Sequence, residues 1–129
     1  MDVAQNEGVH VSVIEASLSR LLGTPGVTGA ALVDAVTGLT YCVVGDALET
    51  GDGVGTAELV AVITDRVGQA GAGSELESVV VTTARRYHVI QSVRRTGDPL
   101  LLVAALDRGR TNLALAMRQL DAHAAGVLA

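Results

Sequence analysis

Hydrophobic positions along this chain recur at two spacings, one typical of helices and one typical of strands. The first stretch with helical spacing follows a capping pair, Ser12 and Glu15, and stops at Gly23 and Pro25. Its apolar residues share one side of the predicted helix: Val11, Ile14, Leu18, Leu21 and Leu22. Its polar residues are predicted to face solvent: Ser17, Ser19 and Arg20. Residues 1–9 show neither spacing, and we expect them to be frayed.

Two short apolar stretches follow and are predicted to form a β-hairpin. Val27–Ala35 and Leu39–Gly45 are both rich in Val, Leu and Ala, and three residues separate them. Gly38 in this link supplies the positive φ that a short hairpin turn requires. Asp34 and Thr37 are expected to bond backbone groups of the turn rather than to act in catalysis.

A polar, glycine-rich connection, Asp46–Gly55, leads to a second predicted helix, Val54–Ala70. Acidic residues before and within its first turn, Glu58 among them, suit the positive end of the helix dipole. Its apolar stripe comprises Leu59, Val62, Ile63 and Val67. Further apolar residues extend around the helix: Val54, Ala57, Val60 and Ala61. Because this stripe is wider than a one-sided surface helix needs, part of the helix is predicted to contact another chain.

Three further strands are predicted at Leu76–Thr83, Tyr87–Arg95 and Leu100–Leu106. The links between them are short, which favours antiparallel hairpins. The last strand is apolar throughout, as expected for a central strand covered on both faces. A final helix, Thr111–Ala125, carries three large apolar residues on one face: Leu113, Met117 and Leu120.

The predicted order is therefore helix, two strands, helix, three strands and helix. If the two most apolar strands, one and five, lie together in the centre, the strand order is 2-1-5-4-3. This is an α+β fold with a mainly antiparallel sheet and helices on both faces. Strand three then lies at an edge, and its segment Val79–Thr83 is β-branched, uncharged and free of proline. Such an edge favours pairing with another chain.

Composition limits the classes of function. The 129 residues suit a single domain spanning 1–129, and the net charge of −5 argues against general nucleic-acid binding. One cysteine and an N-terminus without a signal-peptide pattern favour a cytoplasmic protein. The longest apolar run, Leu100–Leu106, is too short for membrane insertion. All nine basic residues are arginines, which is typical of GC-rich coding and fits an actinobacterium.

No motif of catalysis or cofactor binding stands out. Gly51–Gly55 follows a strand as a phosphate loop would, but it lacks the third glycine and the lysine that such loops use, so a flexible loop is the better interpretation. Neighbouring acids match no calcium-loop spacing: Asp46, Glu49, Asp52 and Glu58. His10, His88 and His123 lie in different elements, and Cys42 is predicted to be a half-buried thiol without an adjacent base. The sequence predicts no catalytic residue, no cofactor and no metal, and hence no enzyme.

Strand geometry places four arginines at one end of the predicted sheet. Arg85 and Arg86 lie in the link before strand four, and Arg108 and Arg110 follow strand five. This cluster either recognises a carboxylate or phosphate group on a partner or forms a solvated rim, and both interpretations stay open. The opposite end offers ordinary candidates for surface ion pairs: Arg94, Arg95, Glu75 and Glu77.

The region around the first hairpin carries a family signature. The chain resembles the roadblock/LC7 family in three places: Leu21-Leu22, the run PGVTGAALVD at 25–34, and Thr37-Gly38-Leu39. These lie within the same order of elements over about residues 10–125. That family includes dynein light chains and bacterial MglB-like regulators of Ras-like GTPases. Since the signature consists of small and apolar residues, it marks a fold rather than a reaction.

The resemblance implies a homodimer in which strand three pairs with its symmetry mate and the second helices lie side by side. The implied dimer interface comprises Leu59, Ile63, Val79, Val80, Val81, Thr82 and Thr83. In bacterial members the paired helices dock a small Ras-like GTPase, and in actinobacteria such proteins accompany a sensor kinase. The surface expected to meet a partner comprises Glu58, Val62, Asp65, Arg66, Arg85 and Arg86.

The leading hypothesis is a non-enzymatic homodimer that regulates a small GTPase in signal transduction. The alternative hypothesis is a structural dimerisation scaffold, which would have the same fold but no effect on nucleotide turnover, and this alternative stays open. A small-molecule sensor would need a pocket, which a chain with two tyrosines as its only aromatic residues is poorly suited to line.

Overall fold

The computed structural model describes residues 13–71, 76–93 and 97–125. The strands are β1 (Val27–Asp34), β2 (Thr40–Gly45), β3 (Ser78–Thr82), β4 (Arg86–Val93) and β5 (Leu100–Asp107). The helices are α1 (13–21), α2 (Ala47–Thr50), α3 (Gly53–Gln69) and α4 (Leu113–His123), and a 3-10 turn spans Arg108–Arg110. Several sequence predictions involve residues outside the described ranges: the frayed segment 1–9, His10, Val11 of the first helix, the Ser12 cap, the end of the strand predicted at Tyr87–Arg95, and the ion pairs of Glu75, Arg94 and Arg95.

The five strands form one antiparallel sheet in the order β2-β1-β5-β4-β3, which confirms the predicted topology. β1 and β5 occupy the centre, where Leu32 lies opposite Leu102 and Ala30 opposite Ala104. Residues 100–106 of β5 are all buried. A strand that is apolar on both faces can bury both of them only in the middle of a sheet that is covered on both sides, and β5 occupies that position.

Two hydrophobic clusters lie on opposite faces of the sheet, because neighbouring residues of a strand point to opposite sides. On one face Leu18 of α1 and Leu120 of α4 pack with Leu102 of β5. On the other face Val60 of α3 packs against the cluster that contains Val103. Helices therefore cover both faces, as predicted.

The turn between β1 and β2 has the geometry that its residues predict. The Asp34 carboxylate accepts hydrogen bonds from the backbone N–H groups of Val36 (2.8 Å) and Thr37 (2.9 Å), and these bonds lower the pKa of Asp34. Gly38 has a φ of +79°, and a Cβ at this position would lie 2.5 Å from the Cα of Val54. The turn thus needs glycine both for its backbone and for the close approach of α3.

The predicted loop Asp46–Gly55 is wrong in part, since it contains α2 and the start of α3. Asp46 caps α2, and its carboxylate accepts hydrogen bonds from the N–H groups of Leu48 (3.0 Å) and Glu49 (3.3 Å). The first N–H groups of a helix have no acceptor within the helix, and an Asp at this position accepts hydrogen bonds from them. A single helical turn can therefore form within a polar connection.

The helix predicted at Val54–Ala70 is confirmed as α3, with a shift of one residue at each end. Asp52 caps it by accepting a hydrogen bond from the N–H of Val54 (3.1 Å). The prediction that Glu58 belongs to the acidic first turn is wrong, because the first turn of α3 contains no acidic residue. The negative charge at the positive end of the helix dipole is that of the capping residue, Asp52.

The orientation of α1 differs from the predicted one. Ser17 is only 3% exposed although it was expected to face solvent, whereas Leu22 is exposed. The Ser17 hydroxyl Oγ lies 2.9 Å from Nε2 of His123 on α4. A hydroxyl can be buried without penalty when it has a hydrogen-bond partner, and here the partner is 106 positions away in sequence.

Candidate interaction surfaces

α3 presents a mixed apolar and charged face to solvent. Ala57 is buried against the sheet, and Val60, Ile63 and Val67 are half-buried. The opposite side, here called the outer face of α3, comprises Val54, Glu58, Leu59, Val62, Asp65 and Arg66, all exposed. The predicted stripe of Leu59, Val62, Ile63 and Val67 is therefore divided, since its first two members face outward.

The outer face of α3 exposes large apolar side chains to solvent. Val62 is 57% exposed and Leu59 is 42% exposed. Leu59 and Ile63 are four residues apart, so they are neighbours on consecutive turns of the helix. Asp65 accepts a hydrogen bond from the Gln69 amide (3.2 Å) and thereby stays on the helix surface.

β3 forms one edge of the sheet and pairs only with β4 among the described elements. Val79 is half-buried and packs against the cluster beneath α3. Val80 and Val81 are each 39% exposed on opposite faces of the strand, and Thr82 and Thr83 are exposed. No described strand covers the outer backbone edge of β3, and the segment between Ser78 and Thr83 carries no charge.

The arginines predicted to gather at one end of the sheet do so. Arg86 lies opposite Asp107 in the register of β4 and β5, and the N–H of Arg108 donates to the carbonyl of Arg85 (2.9 Å). An open cavity of about 330 Å³ lies at this end, with Arg85, Arg86 and Asp107 among its lining residues.

The four arginines are not equivalent. Nη2 of Arg86 lies 2.7 Å from Oε1 of Glu49 on α2, and the other carboxylate oxygen of Glu49 accepts a hydrogen bond from the Thr28 hydroxyl. The Arg108 guanidinium donates to the carbonyl of Thr83 (3.1 Å) and lies over the ring of Tyr87, 5.9 Å from its centroid. Arg86 and Arg108 are therefore each engaged by other groups of this chain.

Sequence reasoning missed Thr28, Glu49 and Asp107 as members of this cavity. Glu49 and Arg86 are 37 positions apart, and no pattern along the chain signals their contact. Asp107 takes part through its carboxylate, which accepts a hydrogen bond from the N–H of Gly109 (2.9 Å). The Asp-x-Gly spacing of this turn is the one signal that could have been used.

Cys42 and His123 are both partly buried, and burial shifts the pKa of each side chain. Cys42 is half-buried, as predicted, and burial followed by the charge of Glu15 raises the pKa of its thiol. Burial, and then the charge of Arg20, lower the pKa of His123. Within residues 13–71, 76–93 and 97–125, no three His, Cys, Asp or Glu side chains are grouped to hold a metal ion. Among the described helices, none combines the length and apolar character needed to cross a membrane.

Solved structures with the same architecture were found, although no family sequence model and no curated protein matches the chain. MglB of Myxococcus xanthus superposes with a TM-score of 0.73 at 19% identity, over 88% of this chain and 84% of that one. A roadblock/LC7 domain from Streptomyces avermitilis superposes with a TM-score of 0.69 at 18% identity, over 84% of this chain and 90% of that one. The chain has the roadblock/LC7 fold.

The roadblock/LC7 fold of this chain also matches an MglB with a tetrameric arrangement. That superposition has a TM-score of 0.69 at 16% identity and covers 98% of this chain and 89% of the other. Identities this low establish the shared architecture, which the resemblance in sequence predicted. The roles of individual residues have to be argued from the geometry of this chain.

Proposed function

We propose that this roadblock/LC7 chain is a non-enzymatic homodimer that binds a small Ras-like GTPase and modulates its GTPase cycle. The observation that carries the proposal is the juxtaposition of an open strand edge and an apolar helix surface. Val79 of β3 and Val60 of α3 pack in the same cluster, so the β3 edge and α3 lie on one side of the molecule. A second copy added at this edge brings a second α3 beside the first.

Pairing of β3 with its counterpart supports dimerisation in physical terms. Alternate residues of β3 direct their backbone N–H and C=O groups away from β4, and an antiparallel partner strand satisfies these groups. In an isologous contact both copies use the same strand, so the sheet grows to ten strands and gains no further open β3 edge. The residues proposed at the interface are Leu59, Ile63, Val79, Val80, Val81, Thr82 and Thr83.

The outer face of α3 supports partner binding. Exposed apolar side chains flanked by charges are typical of the core and rim of protein interfaces. Here Val62 lies between acidic and basic residues of the same face, so the proposed docking residues are Val62, Glu58, Asp65 and Arg66. Arg85 and Arg86, at the end of the β3–β4 hairpin, are proposed as further docking residues. The tetrameric arrangement of an MglB with the same fold supports assembly beyond a single chain.

Sedimentation velocity at micromolar concentration tests the dimer. Val80→Lys places a charge on the β3 edge, and we expect it to convert the dimer to monomer. Val43→Lys is a matched control, because Val43 lies on the other edge strand, β2, with 38% exposure against 39% for Val80. A wild-type monomer, or equal behaviour of the two variants, contradicts the proposed interface.

A further inference from the structure

The sheet has a second edge at β2, on the side opposite β3. No described strand covers the outer backbone edge of β2. The N–H of Asp46, directly after β2, donates to the carbonyl of Thr28 on β1 (3.0 Å). Since neighbouring residues of a paired strand alternate in direction, Val43 then directs its N–H and C=O away from β1. These outward groups are available to a further strand.

Exposed apolar side chains lie along and beside this edge. Val43 and Tyr41 of β2 are exposed, and Leu48, at 93% exposure, is the most exposed large apolar side chain among the described residues. Leu48 belongs to α2, which follows β2 after a single residue. The strand itself, Thr40–Gly45, carries no charge. An uncharged edge with exposed apolar side chains favours pairing with an extended segment of another chain.

The charges of this chain are unevenly distributed. The segment Leu21–Asp65, which contains β1, β2, α2 and most of α3, has six acidic residues and no basic one. Eight of the nine arginines follow it in the sequence. Two of the six acids are engaged within the chain, Asp34 by N–H groups of its turn and Glu49 by Arg86. The elements around β2 therefore form the acidic part of the molecule.

Three exposed carboxylates lie near β2, those of Glu15, Asp46 and Asp52. Asp46 follows the last residue of the strand. At the other end, a Cβ on Gly53 would lie 2.5 Å from the Thr40 hydroxyl, so Asp52, which precedes Gly53, is close to the start of the strand. On α1, the charge of Glu15 adds to the effect of burial in raising the pKa of the Cys42 thiol, which places Glu15 beside the middle of β2. Negative charge thus lies at both ends of the edge and along it.

We propose that β2 binds an extended, basic segment of another protein, which pairs with the edge as an additional strand. Hydrogen bonds to the outward backbone groups of β2 hold the segment, and its arginine or lysine side chains meet the carboxylates at the two ends of the strand. A second copy of this chain is a poorer occupant. Antiparallel pairing of two β2 strands brings Asp46 of each copy toward Asp52 of the other, and like charges repel.

Backbone-amide NMR titration of the full chain with synthetic peptides tests the site. The six residues of β2 span about 20 Å, so the probe is a capped peptide of about seven residues in which valine and threonine alternate between two terminal arginines. One control peptide has glutamate in place of arginine, and another has N-methylated valines, which cannot donate backbone hydrogen bonds. With the basic peptide we expect saturable shifts of the Cys42, Val43 and Val44 amides and slower hydrogen exchange of the Val43 N–H. We expect weaker binding of the glutamate peptide and no binding of the N-methylated peptide.

Two pairs of variants test the position and the charge of the site. Val43→Lys places a positive charge on the edge and is expected to weaken binding of the basic peptide about tenfold or more. Leu115→Lys adds the same charge at an exposed position of α4 and is expected to leave binding unchanged. Asp46→Asn keeps a capping oxygen but removes the charge, and it is expected to weaken binding about two- to fivefold. Asp121→Asn on α4 makes the same change in net charge and is expected to have no effect.

The proposal is overturned if either control peptide binds as tightly as the basic one, if the shifts lie on β3 instead of β2, or if Val43→Lys and Leu115→Lys behave alike. Shifts of the same β2 amides with protein concentration alone would identify a second copy of this chain as the occupant and would also contradict the proposal. None of these readouts depends on pairing through β3 or on nucleotide turnover, so this site and the GTPase proposal can fail separately.

Discussion

Ser17 on α1 and His123 on α4 form a hydrogen bond with a heavy-atom distance of 2.9 Å, which ties together the two helices on one face of the sheet. Ser17 is buried and His123 is half-buried. Burial and the nearby charge of Arg20 oppose protonation of the ring, so the pKa of His123 lies below its ordinary value of 6.5. The two helices are therefore joined most stably when His123 is neutral.

The stability of the protein is expected to decrease as the pH falls through about 6.5. In this range the unfolded chain binds a proton at His123 and the folded chain does not, so acidification favours unfolding. Urea unfolding at a series of pH values between about 7 and about 5 measures the effect. We expect His123→Gln to flatten the pH dependence and His88→Gln, a control on β4, to retain it. Equal slopes for the wild type and His123→Gln would show that this pair does not set the pH response.

Alanine substitutions at Gly38 and Gly51 distinguish the cost of backbone strain from the cost of a steric clash. Both have a φ of +79°, but a Cβ at Gly38 meets Val54 whereas the space around Gly51 is open. Gly51→Ala should cost about 1–3 kcal/mol of unfolding free energy from strain alone. Gly38→Ala should cost about 1–3 kcal/mol more because α3 must move. Urea unfolding of the two variants gives the difference, and equal costs would contradict the close approach of the turn and α3.

The ion pair between Glu49 and Arg86 is expected to contribute modestly to stability. The side chains are 17% and 44% exposed, respectively, so solvent screens much of their attraction. A double-mutant cycle with Glu49→Gln and Arg86→Gln should give a coupling of about 1 kcal/mol at low salt, decreasing at high salt. A coupling near zero at low salt would mean that Arg86 is not held by Glu49.

The sheet could be predicted from the sequence because its signals are local. The short hairpin links fix which strands are neighbours, and the unbroken apolar run of β5 assigns that strand to the centre. The helix α3 could also be predicted from the sequence, because 17 residues show several turns of its apolar period. α2 has four residues, too few for any period to appear, and its cap Asp46 was interpreted as part of a loop.

The contacts that define the surfaces could not be predicted, because they join residues far apart in sequence. Ser17 looks like a solvent-facing residue until His123 is placed beside it. Arg86 looks like a member of a basic rim until Glu49 is found to engage it. The division of α3 into inner and outer faces likewise depends on its angle to the sheet, which the apolar period alone does not fix.

Single-turnover GTP hydrolysis tests the central claim most directly. A panel of small Ras-like GTPases from the same organism, preloaded with GTP, is mixed with the wild type, with Val62→Asp on the outer face of α3, or with Leu115→Asp. Leu115 is an exposed leucine of α4, on the opposite face of the sheet, and serves as the matched control. We predict that the wild type and Leu115→Asp change the hydrolysis rate of one GTPase and that Val62→Asp does not. Binding without any change in rate would identify a scaffold instead, and neither binding nor a rate change with any GTPase would contradict the account.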